Sequence, residues 1–195
     1  MLLQLRSISQ LAGGRRSARR LFLVAFFTAA MSVVAGADEQ ATVSEAGGVY
    51  SVRASFTVVQ SPAAAMAVLT DYEHLARFMP GLQSSVIVGR DGARVTVNQE
   101  AVAKFLTFSK QISLVLEVNE GAGALTFADH GHKSFSCYQG SWQVSTLNGR
   151  TLVIYTLTAK PAFSVPEFIL SKLFRRDAGR MISALQKEIS SRGGD

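Results

Sequence analysis

The apolar residues of this chain follow two different periods, and the change falls near residue 164. From Leu82 to Lys160 they recur at every second position, the signature of strands with one buried face. In the segment LTFSKQISLVLEV, Phe108, Ile112, Leu114, Leu116 and Val118 share one side while Ser109, Gln111, Ser113 and Glu117 share the other. Beyond residue 164 the residues Leu170, Phe174, Ala178, Met181, Leu185 and Ile189 step by four, four, three, four and four, which draws one stripe down a single helix. A sheet with one dry face and a lone helix with one dry stripe have only each other to cover, so the sheet must curl around the helix. The expected class is therefore α+β, with a curved antiparallel sheet wrapped around a long C-terminal helix.

Turn residues set the strand count. Asp91-Gly92, Asn119-Glu120-Gly121 and Asn148-Gly149 each supply residues that tolerate positive φ, as tight antiparallel turns require. They separate SSVIVGR, ARVTVNQEAVA, LTFSKQISLVLEV, ALTFADH, SFSCYQGSWQV and TLVIYTLTAK, which with an alternating segment at Val49 to Gln60 make about seven strands. Ser61-Pro62 follows the first strand and suits the start of a short helix, a hydroxyl at the cap and a proline at the first helical position. A second short helical turn through His74 to Phe78 should end at Met79, before Pro80-Gly81, and Asp71 is expected to cap it with its carboxylate. The long helix is expected from Val165 to Ser191, opened by a capping box of Ser164 and Glu167 and stopped by Gly193-Gly194.

The amino terminus has a different character. Arg6, Arg15, Arg16, Arg19 and Arg20 precede the uncharged run from Leu21 to Ala37, and no acidic residue occurs before Asp38. Ala35-Gly36-Ala37 fits the small-x-small site of a signal peptidase, so residues 1–37 read as a cleaved export signal. Ala18-Arg19-Arg20-Leu21-Phe22-Leu23 resembles a twin-arginine signal in part, and the Sec route stands beside it. The expected destination is the periplasm or the exterior, with the inner membrane, anchored through residues 21–37, as the alternative. Residues 38–48 are small and polar and read as a flexible lead-in to a domain spanning 49–192. Of the formal charge of +6, the leader carries five, so the body is close to neutral and a strongly basic nucleic-acid binder is excluded. Cys137 is the single cysteine, which rules out an intrachain disulfide.

Three groups of residues carry a resemblance. They are Ser61-Pro62; then LTDYEHLARFMPGLQSS with Asp71, Tyr72, Phe78, Pro80, Ser84 and Ser85; and Gly140-Ser141-Trp142 with Pro161 before the long helix. Together they resemble the START-like helix-grip superfamily, also called SRPBCC, in its polyketide cyclase/dehydrase group, and in particular the coenzyme Q-binding START-domain family. The resemblance spans roughly Val49 to Arg192. It implies an apolar cavity between sheet and helix that holds a hydrophobic small molecule, a lipid or a quinone-like compound. Inward residues that would line it are Phe78, Met79, Phe108, Ile112, Leu114, Phe127, Trp142, Tyr155, Leu170, Phe174 and Met181. The opposing reading is that the same side chains fill the interior, since protein cores pack as densely as crystals.

Chemistry beyond binding has little foothold. The chain contains no G-x-S-x-G, H-E-x-x-H, G-x-x-x-x-G-K-[ST] or G-x-G-x-x-G. His130-x-His132 with Asp129 and Cys137 is the one cluster with metal-ligand chemistry, but it lacks further ligands at a recurring spacing, so neither metal nor cofactor is expected. Cys137 reads as a buried thiol rather than a nucleophile. An alternative polyketide cyclase/dehydratase-like enzyme would need an acid and a base in the cavity. Asp71, Glu100, His130 and Tyr155 are the polar candidates, with Glu100 and Tyr155 equally suited to face water. Lys172, Arg176, Arg180 and Lys187 form a basic helix face suited either to solvent or to peripheral contact with an anionic membrane.

Overall fold

A computed structural model describes residues 41–105 and 108–192, so the leader and its cleavage site lie outside the described residues, as do the side chains of Phe105 and Phe108. Eight strands form one antiparallel sheet: β1 (Thr42–Ala46), β2 (Val49–Val58), β3 (Leu82–Asp91), β4 (Arg94–Phe105), β5 (Phe108–Gly121), β6 (Ala124–Asp129), β7 (Phe135–Leu147) and β8 (Arg150–Pro161). Their spatial order is β1-β2-β8-β7-β6-β5-β4-β3, so the sequence runs as a meander from β3 to β8 and β2 closes back onto β8. Between β2 and β3 lie α1 (Pro62–Leu69) and a 3-10 segment (Tyr72–Arg77), and the chain ends in α2 (Glu167–Arg192).

Segment 38–48 does not behave wholly as a flexible lead-in. Thr42–Ala46 is β1, paired in register with β2 from Thr42 opposite Arg53 to Ala46 opposite Val49. The connecting Gly47 and Gly48 have φ of +60° and +79°. Two successive residues at positive φ make a tight hairpin turn that matches strand twist, a geometry open to glycine pairs. Val43 packs against the core from this strand. The strand count thus rises from the seven expected to eight.

Other local expectations hold or shift by a turn. Ser61 caps α1 by accepting from the Ala64 N–H at 3.2 Å, with Pro62 at the first turn. The β5–β6 turn falls at Ala122-Gly123 rather than Asn119-Glu120-Gly121, because Gly121 still pairs with Ala124. α2 begins two residues later than its expected start: the Pro166 carbonyl receives Ile169 N–H at 2.9 Å and Leu170 N–H at 3.2 Å. Glu167 faces Glu45 of β1 instead of closing a capping box with Ser164, and the neighbouring acid raises its pKa.

The interior is uneven along α2. Ile182, Leu185 and Ile189, in the carboxyl-terminal half, are no more than 1% exposed. In the amino-terminal half Phe174 stays partly open while stacking on Tyr50 at 4.9 Å between ring centres. One end of the grip is packed solid and the other is not.

Candidate functional site

The loosely packed end leaves a half-open hollow of about 230 Å³ between α2 and the sheet. Six α2 residues bound it, namely Leu170, Leu173, Phe174, Asp177, Ala178 and Met181, all from the first two-thirds of the helix. The loop Met79-Pro80-Gly81-Leu82 after the 3-10 segment forms one flank, and Val102 and Ala103 near the end of β4 continue it. The floor comes from inward positions of the sheet, with Ile112 and Leu114 on β5, Phe135 and Tyr138 on β7, and Tyr155 and Leu157 on β8. Alternation alone would not put Phe135 and Tyr138 on one face. A register shift between Phe135 and Cys137 inserts the residue that re-phases β7.

An aromatic series runs through this floor. Trp142 packs on Tyr155 with ring centres 4.4 Å apart, and Phe127 stacks on Tyr155 at 6.2 Å. Phe127 also contacts Tyr138 at 5.9 Å; Tyr138 meets Phe135 at 4.9 Å, and Phe135 meets Phe163 at 6.2 Å. Such pairs contribute about 0.5–1.5 kcal/mol each beyond area burial, so the wall is stiff. The Tyr155 and Tyr138 hydroxyls face each other, and burial pushes both phenols above the usual tyrosine value. Both stay neutral and serve as hydrogen-bonding groups rather than bases.

Of the residues expected to line a cavity, Met79, Ile112, Leu114, Tyr155, Leu170, Phe174 and Met181 do border this hollow. Phe127 and Trp142 stand behind the lining, buried against Tyr155. Phe78 sits outside it, under the Arg192 guanidinium at 5.9 Å, because the 3-10 segment ends there and delivers the next residue, Met79, to the hollow. The side chain of Phe108 is outside the described residues. Tyr155 is core, not solvent-facing, since odd positions of β8 point inward throughout. Glu100 lies on the other face, accepting from Ser113 Oγ at 2.7 Å, and His130 is exposed.

Asp177, Gln99 and Tyr138 are polar lining residues that the sequence reading does not single out. Asp177 had a legible signal: it lies three positions after Phe174 and four before Met181, on the edge of the apolar stripe. Its carboxylate Oδ1 accepts from Arg176 Nε at 2.9 Å and Nη2 at 2.7 Å. Burial nevertheless raises its pKa, outweighing Arg176 and Arg180.

Of the residues that carry the resemblance, Pro80 and Pro161 border the hollow and most of the others prove to be scaffolding. Asp71 occupies the cap position of the 3-10 segment without capping it through its side chain. Its carboxylate instead accepts from His74 Nδ1 and from Arg192 Nη1, each at 2.7 Å, and ties the end of α2 to the segment. Burial works to raise the Asp71 carboxyl, but the Arg192 and His74 bonds outweigh it and the net shift is downward. Tyr72 donates to Glu120 Oε1 at 2.9 Å, and Arg90 donates to the same carboxylate at 3.1 Å. Gly140 faces Phe127 and leaves room for that ring, Ser141 bonds Thr156 on the outer face at 2.8 Å, and Trp142 supports Tyr155.

The histidine turn is scaffolding as well. Buried Asp129 accepts backbone N–H groups from Val115 at 2.8 Å, Gly131 at 2.9 Å and His132 at 3.1 Å. Among the described residues no three His, Cys, Asp or Glu side chains gather as metal ligands. Cys137 is half-buried beside the β7 irregularity.

Comparison with known proteins adds a family and a fold. Residues 58–186 match the family model described as polyketide cyclase / dehydrase and lipid transport. No curated protein matches the chain by sequence. A crystal structure of a Thermus thermophilus protein is 22% identical with a TM-score of 0.64, covering 74% of this chain and 99% of that one. The ZhuI aromatase/cyclase from a Streptomyces species is 14% identical with a TM-score of 0.65, over 74% of this chain and 95% of its own. A START superfamily protein of Mycobacterium smegmatis is 14% identical with a TM-score of 0.63, over 73% and 98%. At these identities the likeness is one of fold: the helix-grip architecture that the resemblance implies, with the curved antiparallel sheet and long C-terminal helix expected from the change of period.

Proposed function

Since this chain belongs to the polyketide cyclase / dehydrase and lipid transport family, we propose that it is a binding protein that holds a small hydrophobic molecule between its sheet and α2. The observation that carries this reading is the unfilled, mainly apolar hollow under the first two-thirds of the helix. Its volume of about 230 Å³ lies below the ~300–1,000 Å³ usual for ligand pockets, so it suits one compact ring system or one chain rather than a two-chain lipid. Removal of apolar ligand surface from water at roughly 25 cal/mol per Å² supplies the affinity. The Tyr155 ring, held in place from behind by Phe127 and Trp142, suits a flat or unsaturated guest, a quinone-like head included.

The test is to purify the protein from expressing cells and analyse an organic-solvent extract by mass spectrometry, alongside titration with a neutral fluorescent probe, N-phenyl-1-naphthylamine. A co-purifying small apolar compound that displaces the probe is the expected result. An empty extract together with no probe uptake overturns the reading.

The cyclase or dehydratase alternative has one observation in its favour: Tyr138, Tyr155 and Asp177 share the lining, two hydrogen-bonding phenols and a carboxyl group. It predicts chemical change of a bound polyketone, read by mass spectrometry before and after incubation. Unchanged ligand removes it.

The reading includes export, supported by the arginine-rich leader and Ala35-Gly36-Ala37. Amino-terminal sequencing of the protein from a periplasmic fraction tests it, with Asp38 as the expected first residue. A retained leader in a membrane fraction means anchoring through residues 21–37 instead.

A further inference from the structure

Asp177 is out of place in an apolar wall. It lies between Phe174 and Met181, both of which border the hollow, and it borders the hollow itself. Its side chain keeps 42% of its surface open to water, so it stands at the mouth of the hollow rather than deep in the apolar wall. Arg176 pairs with it through one oxygen only: both of its hydrogen bonds to this carboxylate fall on Oδ1 and, among the described residues, none falls on Oδ2. Partial burial raises the acid's pKa even with Arg176 and Arg180 nearby. Across the hollow, on the sheet wall, the polar groups are the neutral hydroxyls of Tyr138 and Tyr155 and the amide of Gln99, whose Nε2 donates to Ser85 Oγ at 3.2 Å. Among the described residues, Asp177 is therefore the one formally charged side chain in the lining.

We infer that Asp177 selects the head of the guest: it accepts a hydrogen bond through Oδ2 from a hydroxyl or ammonium group and rejects carboxylates and phosphates of the same apolar body. This rests on the binding reading above and adds the ligand class to it, an apolar molecule ending in a hydrogen-bond donor. The chemistry is asymmetric. A donor head gains a charge-assisted bond in a medium of reduced dielectric. An anionic head meets a like charge at close range while its apolar body lies in the hollow, and that repulsion weakens its binding relative to a donor head.

The test uses three ligands of equal chain length, decan-1-ol, decylamine and decanoate, each displacing N-phenyl-1-naphthylamine from the purified protein at pH 7. The expected order has decylamine and decan-1-ol binding at least about tenfold more tightly than decanoate. In Asp177→Asn, which keeps the side chain's shape, decanoate should approach decan-1-ol to within about twofold. Arg176→Gln removes the counter-ion from Oδ1 and should widen the gap, an effect that loss of folding cannot imitate. Equal binding of the three ligands by the wild type, a gap that survives Asp177→Asn, or a gap that Arg176→Gln leaves unchanged overturns the selector role while the binding reading stands. Absence of probe uptake by the wild type overturns the binding reading, and the selector role with it.

Discussion

Gly140 shows what a single missing side chain does for this fold. A Cβ at that position would overlap the carbonyl oxygen of Thr156 on the neighbouring strand and come within 2.6 Å of the Phe127 ring. Neither neighbour can retreat, since one is backbone in a paired strand and the other is buried against Tyr155. Gly140→Ala is expected to cost at least about 2 kcal/mol, read as a fall in the urea midpoint; an unchanged midpoint would contradict the close approach. Asp177 gives the opposite sign. Its folded pKa is raised, so the protonated form fits the fold better, and the contribution to stability is fullest at low pH and is lost as pH rises through the folded value. Asp177→Asn should therefore melt at a higher temperature than the wild type at pH 7, and the difference should shrink as the pH falls below the range in which the wild-type carboxyl titrates. A lower melting temperature for the variant at pH 7 would mean that the Arg176 pair stabilises more than burial destabilises.

At the level of elements, α2 is one helix with two jobs. Its carboxyl-terminal half fills space: Leu185 is wholly buried, and Leu185→Ala should cost about 2–5 kcal/mol in urea unfolding. Its amino-terminal half borders space: Met181 already has the hollow on one side, so Met181→Ala forfeits fewer contacts and should cost less than half as much. Equal losses would mean that the two halves are packed alike. The stripe itself is legible in the spacing of Leu170, Phe174, Ala178, Met181, Leu185 and Ile189, but which members touch emptiness is not, because that depends on the summed volume of side chains from six strands. β1 was illegible for another reason. Gly47-Gly48 carries the same letters in a loose terminus and in a tight hairpin, and only the pairing of Thr42 with Arg53 decides between them. The D-Y and G-S-W words were legible as marks of a fold and silent about a site, since Asp71 ties α2 to the 3-10 segment and Tyr72 reaches Glu120, both away from the hollow.

For the molecule as a whole, the hollow poses an energetic question. Side chains that border a half-open hollow of about 230 Å³ lack packing partners on that side and forgo the dispersion contacts a filled core would supply. Domains of this kind retain only about 5–15 kcal/mol in total. A fold that needed nothing from that space would gain by closing it, and the residues to do so are at hand: Ala101 on β4 faces inward opposite Ile112 and borders the hollow. Ala101→Phe should place a ring where the guest would lie. Two readings of the interior then diverge. If the hollow is kept for a ligand, the variant folds with an unchanged or higher melting temperature and loses at least about tenfold in affinity for N-phenyl-1-naphthylamine. If the space is a packing fault or the guest binds elsewhere, stability rises in the same way but probe affinity does not move. A fall in melting temperature would show that the walls already meet in solution. Ligand added to the wild type gives the complementary measurement: a guest bound only by the native state stabilises by RT ln(1 + [L]/Kd), about 2.7 kcal/mol at a hundredfold excess over Kd, and Ala101→Phe should abolish that shift while leaving the unliganded melt intact.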